Sequence, residues 1–213
     1  MLEKSRIKVA PRIFRPYKVF LWGLFKLLGD DFLKTSLPRV KIGKITLREI
    51  TRFDYLDYFE IGKDSITTKD LNWGPFLKPK EALWAIDEVI LKRPKDGLPV
   101  GYAIIVDNKM VGIIDYHTYY KEINAVEVGY ILHRDYWNQG IMSRCLKEIV
   151  KIGFNHLEVD KIIVGHLQTN EASRHVILNC GFKYESQKIT AYKDKEGIVL
   201  YYSIYKYEFE GGN

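Results

Sequence analysis

Residues 125–132, Ala-Val-Glu-Val-Gly-Tyr-Ile-Leu, alternate along an extended chain, and directly afterwards the pattern changes to apolar residues recurring every fourth position at Ile141, Cys145 and Ile149, with Met142, Leu146 and Val150 beside them. Period two followed by a period near 3.6 reads as a strand feeding an amphipathic helix. The polar turn between them, Asp135-Tyr136-Trp137-Asn138-Gln139-Gly140, is too short to separate two domains. The apolar stripe of the helix must therefore be buried on the sheet that holds the strand, which makes this a layered α/β chain. Within the strand, Val126, Val128, Tyr130 and Leu132 share one face, and Glu127 and Gly129 lie on the other.

The same reading extends in both directions. Residues 101–106 and 110–116 are β-rich runs separated by Asp107-Asn108-Lys109, which fits a hairpin. Residues 44–50 read as an earlier strand, preceded by a linker of Pro38 and the basic stretch 39–44. Residues 51–92 read as two helices joined by a loop, with breaks at Gly74-Pro75 and Pro79. Downstream, 161–167 reads as a strand and 170–180 as a helix with Asn170 as N-cap and Gly181 just past its end. Residues 182–185 and 199–208 read as the last strands, the second following a turn at 193–197. The order predicts a mixed α/β sheet with helices packed on it.

Charge is unevenly placed. Residues 1–44 hold 11 Lys and Arg against three acidic side chains, and the remainder holds 22 against 24. The division is a basic, apolar extension at 1–43 and a nearly neutral domain at 44–213. A near-neutral domain argues against nucleic acid as partner, and any general affinity for polyanions belongs to the extension. The extension's apolar run, from Val19 to Leu28, is about half the ~20 residues a membrane span needs. Residues 12–29 are read as a short helix packing on the domain or on a partner, a second copy included, or as a basic amphipathic helix on a membrane surface. Cys145 and Cys180 have neither disulfide nor metal-ligand spacing, which points to a reducing, cytoplasmic setting without a metal.

Two segments carry a resemblance. Tyr136-Trp137-Asn138-Gln139-Gly140-Ile141 is similar to the Tyr-Trp-Gly-Lys-Gly-hydrophobic form found where strand meets helix in GNAT acetyltransferases of the ribosomal-protein N-terminal (Rim-type) branch. The wider family signature, Gln/Arg-x-x-Gly-x-Gly/Ala, is half met, with Trp137 and Met142 at its first and last positions. Asn170, Ser173, Gly181 and Phe182 match a second family stretch, in which Ile177 stands where many members have a tyrosine. The resemblance implies a GNAT-like acyl-CoA N-acyltransferase fold, a central, mostly antiparallel sheet with helices on both faces. It further implies acetyl-CoA as co-substrate and a primary amine as acceptor, either a protein N-terminus or a small molecule.

Physical chemistry gives these residues work. The first turn of a helix has unpaired N–H groups and the positive end of its dipole, which suits a diphosphate. The main-chain amides of Asn138, Gln139, Gly140, Ile141 and Met142 are therefore candidates to hold CoA, with Ser143 and Arg144 as side-chain helpers. The edge of the strand at Tyr130, Ile131 and Leu132, with His133 just beyond, is the candidate partner for the pantetheine amides and the thioester oxygen. Amide formation needs a neutral amine, and Glu127 is the candidate general base, an ordinary strand carboxylate being the alternative. Ser173 is the candidate donor to the leaving thiolate, or a structural serine of a first helical turn. Asn170 is a CoA contact or an N-cap, and His133 is a second base or a cap. His117, with Tyr116, Tyr119 and Tyr120, is a candidate lining of the acceptor side, packing on the sheet being the alternative. The two cysteines read as small buried hydrophobes, so acetyl transfer is expected by direct attack in a ternary complex. The competing class is a non-catalytic CoA-binding or docking module with the same domain.

Overall fold

A computed structural model describes residues 33–193 and 195–210. The expected linker is not one. Residues Val40–Ile42 form strand β1, turn at Gly43-Lys44 and pair antiparallel with β2, Ile45–Glu49. Two helices follow, α1 at Tyr55–Gly62 and α2 at Pro79–Ala85, the latter running on into a wider turn at Ile86–Ile90. Strands β3 (Tyr102–Val106) and β4 (Lys109–Tyr120) form the expected hairpin, with a two-residue turn in which Asp107 and Asn108 both have positive φ, 49° and 62°. Asx residues tolerate that conformation better than others, and the twist of such a turn matches that of the strands it joins.

Strand β5 (Ala125–Leu132) pairs antiparallel with β4, and helix α3 (Ile141–Asn155) carries the chain over the sheet to β6 (Lys161–Leu167), which lies parallel to β5. Helix α4 (Glu171–Asn179) precedes β7 (Lys183–Tyr192) and β8 (Lys195–Tyr205), and a short α5 (Lys206–Glu210) ends the described chain. The sheet order is β1-β2-β3-β4-β5-β6-β8-β7. Among the described residues every strand pairing is antiparallel except β5 with β6. Two sequence-level bounds change. The expected strand at 182–185 continues to Tyr192, and β8 begins at Lys195 and ends in a helix, so the turn is tighter than 193–197. The long β7–β8 hairpin is held by β-ladder bonds that a local reading of a polar, lysine-rich segment does not credit.

The core lies between the sheet and α3. Ile141, Cys145, Leu146 and Ile149 are all at most 4% exposed and pack against Tyr116, Val126, Val128 and Ile162. Each such side chain contributes about 1.5–3 kcal/mol through burial. The Tyr116 hydroxyl is satisfied by donating to the Ile149 carbonyl at 2.6 Å. On the opposite face α1 packs over β4 and α2 packs on α1, and the Asp57 carboxylate of α1 accepts the Met110 N–H at 3.0 Å. Helices therefore cover both faces of a mostly antiparallel sheet, as the family resemblance implied.

Candidate active site

The parallel pairing of β5 with β6 is short. It runs from Ala125 opposite Lys161 to Val128 opposite Val164 and stops there. Beyond it β5 stays with β4 as far as Leu132, and β6 stays with β8 as far as Leu167. The sheet opens into a cleft. Level with the divergence, β4 has a bulge between Tyr116 and Thr118, where Tyr116 faces Val128 and Thr118 faces Glu127. A bulge increases local twist and re-aims the extra side chain, here that of His117.

A cavity of about 500 Å³ occupies the cleft. Tyr130, Ile131 and Leu132 form one wall, the start of α3 from Gly140 to Ser143 another, and Asn170 and Ser173 of the α4 turn a third. The His133 N–H bonds the Val111 carbonyl at 2.7 Å, so by antiparallel alternation the Gly129 and Ile131 amides also point to β4. The Tyr130 and Leu132 amides then face the cleft. The Leu132 carbonyl is occupied, because the Trp137 indole donates to it at 2.8 Å.

At α3 the first intrahelical bond is donated by Arg144 to the Gly140 carbonyl, 3.1 Å. The N–H groups of Ile141, Met142 and Ser143 therefore lack helical acceptors and line the cavity. Gly140 has φ 65°, and a Cβ built on it would meet nothing within 4 Å. Glycine serves here for backbone conformation and leaves its outer side open. Asn138 also lines the cavity. Gln139 is not part of the lining; its amide donates to the Asp135 carbonyl and its own carbonyl accepts from Arg144. His133 is likewise outside the lining, its ring accepting the Asp135 N–H at 3.2 Å as the cap of a short turn. A diphosphate thus fits the α3 end by its donor set, and the pantetheine amides fit the free strand edge.

Asn170 is an N-cap, its side chain accepting the Ser173 N–H at 3.0 Å. This presents Ser173, 9% exposed, to the cavity. Ile177, at the family's tyrosine position, is wholly buried in the core. Neither cysteine is suited to attack, since burial raises the Cys145 thiol to about 12 and the Cys180 thiol to about 11.

Glu127 lies outside the cavity lining, on the other face of β5, opposite Thr118 and one position before the last β5–β6 pair. Its side chain is 14% exposed. Tyr120 donates to Oε2 at 2.7 Å, and His117 Nε2 stands 3.9 Å from Oε1. Burial first, then that carboxylate, raises the Tyr120 hydroxyl, so it is a neutral donor. On the same face Asp115 is paired with Arg93 at 2.7 Å. His117 lies across Gly129, where a Cβ would come within 2.8 Å of its ring. Gly129→Ala is therefore expected to push His117 off this face and to destabilise the fold by about 1–3 kcal/mol, the usual cost of overpacking, measurable by urea unfolding. Unchanged stability with His117 in place would show that the contact yields freely.

Several site residues left no sequence signal. Ile66, Thr67, Lys69, Asp70 and Leu71, between α1 and α2, also line the cavity. Their segment is fastened to the β7–β8 tip, where Tyr192 donates to the Lys69 carbonyl at 2.9 Å and Lys193 to the Thr68 carbonyl at 3.1 Å. Arg134 reaches the segment from below, 3.6 Å from Asp64. Only contacts between residues far apart in sequence reveal this wall. Tyr130 and Trp137 did have a signal, since both lie in the motif-bearing segments, but their polar contacts are tertiary.

Comparison with known proteins agrees with this geometry. The acetyltransferase (GNAT) domain model matches residues 44–183. The N-acetyltransferase YoaA of Bacillus subtilis, itself uncharacterized, is 24% identical over 149 residues, 70% of this chain and 84% of its own. Among solved structures, the ribosomal α-N-protein acetyltransferase RimL in complex with coenzyme A superposes with a TM-score of 0.68 at 20% identity, covering 82% of this chain and 98% of that one. Spermidine N-acetyltransferase from Vibrio cholerae, in complex with CoA and spermine, also gives 0.68, at 16% identity, with 79% and 99% covered. Equal likeness to enzymes with such different acceptors does not single out the Rim-type branch, but the fold, the splayed strands and the matched domain lead to one conclusion: the chain belongs to the GNAT acetyltransferase family, as an acetyl-CoA-dependent N-acetyltransferase.

Proposed function

We propose that the acceptor is a single primary amine, best the α-amine of a protein or peptide, with Glu127 as the base that receives its proton. The observation that supports this most is the pattern of carboxylates on the acceptor face. Asp115 is neutralised by Arg93, whereas Glu127 holds a phenol hydrogen bond and has only His117 near it among the described ion pairs. One uncompensated carboxylate suits one ammonium group; a polyamine, with several, is better matched by several. The ammonium gives one proton to Glu127 and the lone pair so freed goes to the thioester carbon, and the second proton, lost as the amide forms, goes to solvent. The developing oxyanion is met by the Tyr130 or Leu132 N–H, and the C–S bond breaks with its electrons on sulfur, facing Ser173. The first turn of α3, at Ile141, Met142 and Ser143, carries the CoA diphosphate in this reading, and Asn170, on the same cavity wall, holds Ser173 in place. The membrane or partner contact expected through residues 12–29 lies outside the described residues.

The test is a comparison of initial rates with short peptides of free and blocked N-terminus and with spermidine, at one acetyl-CoA concentration. Free peptides are expected to be acetylated faster than spermidine by about tenfold or more, and blocked peptides not at all. Turnover of spermidine with none of any free peptide would overturn the acceptor assignment.

A further inference from the structure

The hydroxyl of Ser173 has a rotor, and a serine at the start of a helix commonly turns its proton to the nearest carbonyl. Something must hold it toward the cleft if Ser173 is to act on a leaving sulfur. The family's tyrosine position cannot do so, because Ile177 is apolar and wholly buried. The cleft has a phenol from another direction. Tyr130, on the free stretch of β5, crosses to α4 and places its hydroxyl 2.7 Å from Ser173 Oγ and 3.3 Å from the Ser173 carbonyl oxygen. Burial raises the Tyr130 hydroxyl, partly offset by the Ser173 contact, so it stays protonated and can donate. The Ser173 N–H is already taken by Asn170. When the phenol donates to Oγ, its shorter contact, rather than to the Ser173 carbonyl, the serine proton cannot return to Tyr130 and can turn to the cavity that Ser173 lines.

We propose that Tyr130 is a positioning residue for the leaving group: its hydroxyl orients the Ser173 O–H so that it donates to the CoA sulfur as the C–S bond breaks. The inference rests on the reading of Ser173 given above. No proton leaves the phenol. The C–S electron pair stays on sulfur, the amine proton goes to Glu127, and the thiolate is stabilised by one hydrogen bond whose direction Tyr130 sets. Strand β5 thereby serves both halves of the reaction, with Glu127 on one face for the amine and Tyr130 on the other for the thiolate.

The experiment is a double-mutant cycle of Tyr130→Phe and Ser173→Ala, with thermal unfolding to confirm that the ring-preserving Phe leaves the fold intact. Tyr130→Phe is expected to lower kcat by about 3- to 10-fold, the range of one lost hydrogen bond, with KM for acetyl-CoA unchanged. In the Ser173→Ala background it should cost nothing more. The second readout needs no turnover. With CoA bound at a fixed alkaline pH, the fraction present as thiolate, read from its ultraviolet band, should fall in both single variants and no further in the double. Additive losses in kcat, or a thiolate fraction lowered by Ser173→Ala but not by Tyr130→Phe, would overturn the role of Tyr130 alone. If Ser173→Ala changes neither readout, the assignment of Ser173 falls first and that of Tyr130 with it.

Discussion

Glu127→Gln is expected to lower kcat/KM for acetyl transfer at neutral pH by about 10²- to 10⁴-fold while acetyl-CoA binds as before. The substitution is nearly isosteric, and the amide oxygen can still accept from Tyr120, so the 2.7 Å contact and the local packing survive. What disappears is the group that takes the amine proton. Binding should be spared because Glu127 is not among the residues lining the cavity that receives CoA. The pH dependence gives the sharper test. An α-amine loses its own proton near pH 7.7–8.0, so the variant's rate should rise with pH as free amine accumulates, and the gap to the wild type should narrow. Rates measured on both proteins from mildly acid to alkaline pH decide it. Equal rates at every pH would remove Glu127 from the mechanism and direct attention to His117, 3.9 Å away.

The other large effect is expected at the cofactor end. Gly140→Glu should weaken acetyl-CoA binding by about 100-fold or more in isothermal titration calorimetry. The site offers the N–H groups of Ile141, Met142 and Ser143 to a dianion, and a carboxylate introduced beside them repels it with a few kcal/mol at intermediate dielectric. The space around Gly140 is open, so the new side chain enters the cavity mouth rather than the protein core. Backbone strain is a separate cost, because most residues with a side chain resist φ 65°. Gly140→Asn keeps that cost small and adds no charge, since asparagine tolerates the left-handed region better than other residues. Much weaker binding with Glu and near-normal binding with Asn would support the diphosphate at this turn. Binding undiminished in Gly140→Glu would place the phosphates elsewhere.

Much of the site was legible because its parts are local in sequence. The strand-turn-helix from Ala125 to Val150 could be read from the switch in apolar period, and an N-cap at Asn170 from residue type and spacing. Both held in the structure, where α3 begins one residue after Gly140 and the Asn170 side chain caps α4. Gln139 and His133, whose side chains bond within the turn and do not line the cavity, show what that reading does not reach. Each lies within the right segment, but whether a side chain or amide in a turn faces the ligand depends on which hydrogen bonds the turn makes. Here Gln139 folds back on Asp135, and His133 spends its N–H on β4 and its ring on Asp135. The strand β1 was missed for a related reason: Val40–Ile42 is too short and too basic to declare itself, and its stability comes from pairing with β2.

What the sequence determined by itself was the class of fold, the strand-to-helix junction and the residue types able to do acyl-transfer chemistry, because period, turn composition and capping are properties of neighbouring residues. What only the tertiary structure decided was where β5 parts from β6, which amides that leaves free, that Asp115 pairs with Arg93 while Glu127 meets Tyr120 and His117, and that Tyr130 reaches Ser173. Those outcomes depend on register, twist and contacts across many residues of chain, such as the bulge at His117 and the hairpin tip that holds the 64–71 segment. Their energies come from pairs that exist only once the sheet is assembled.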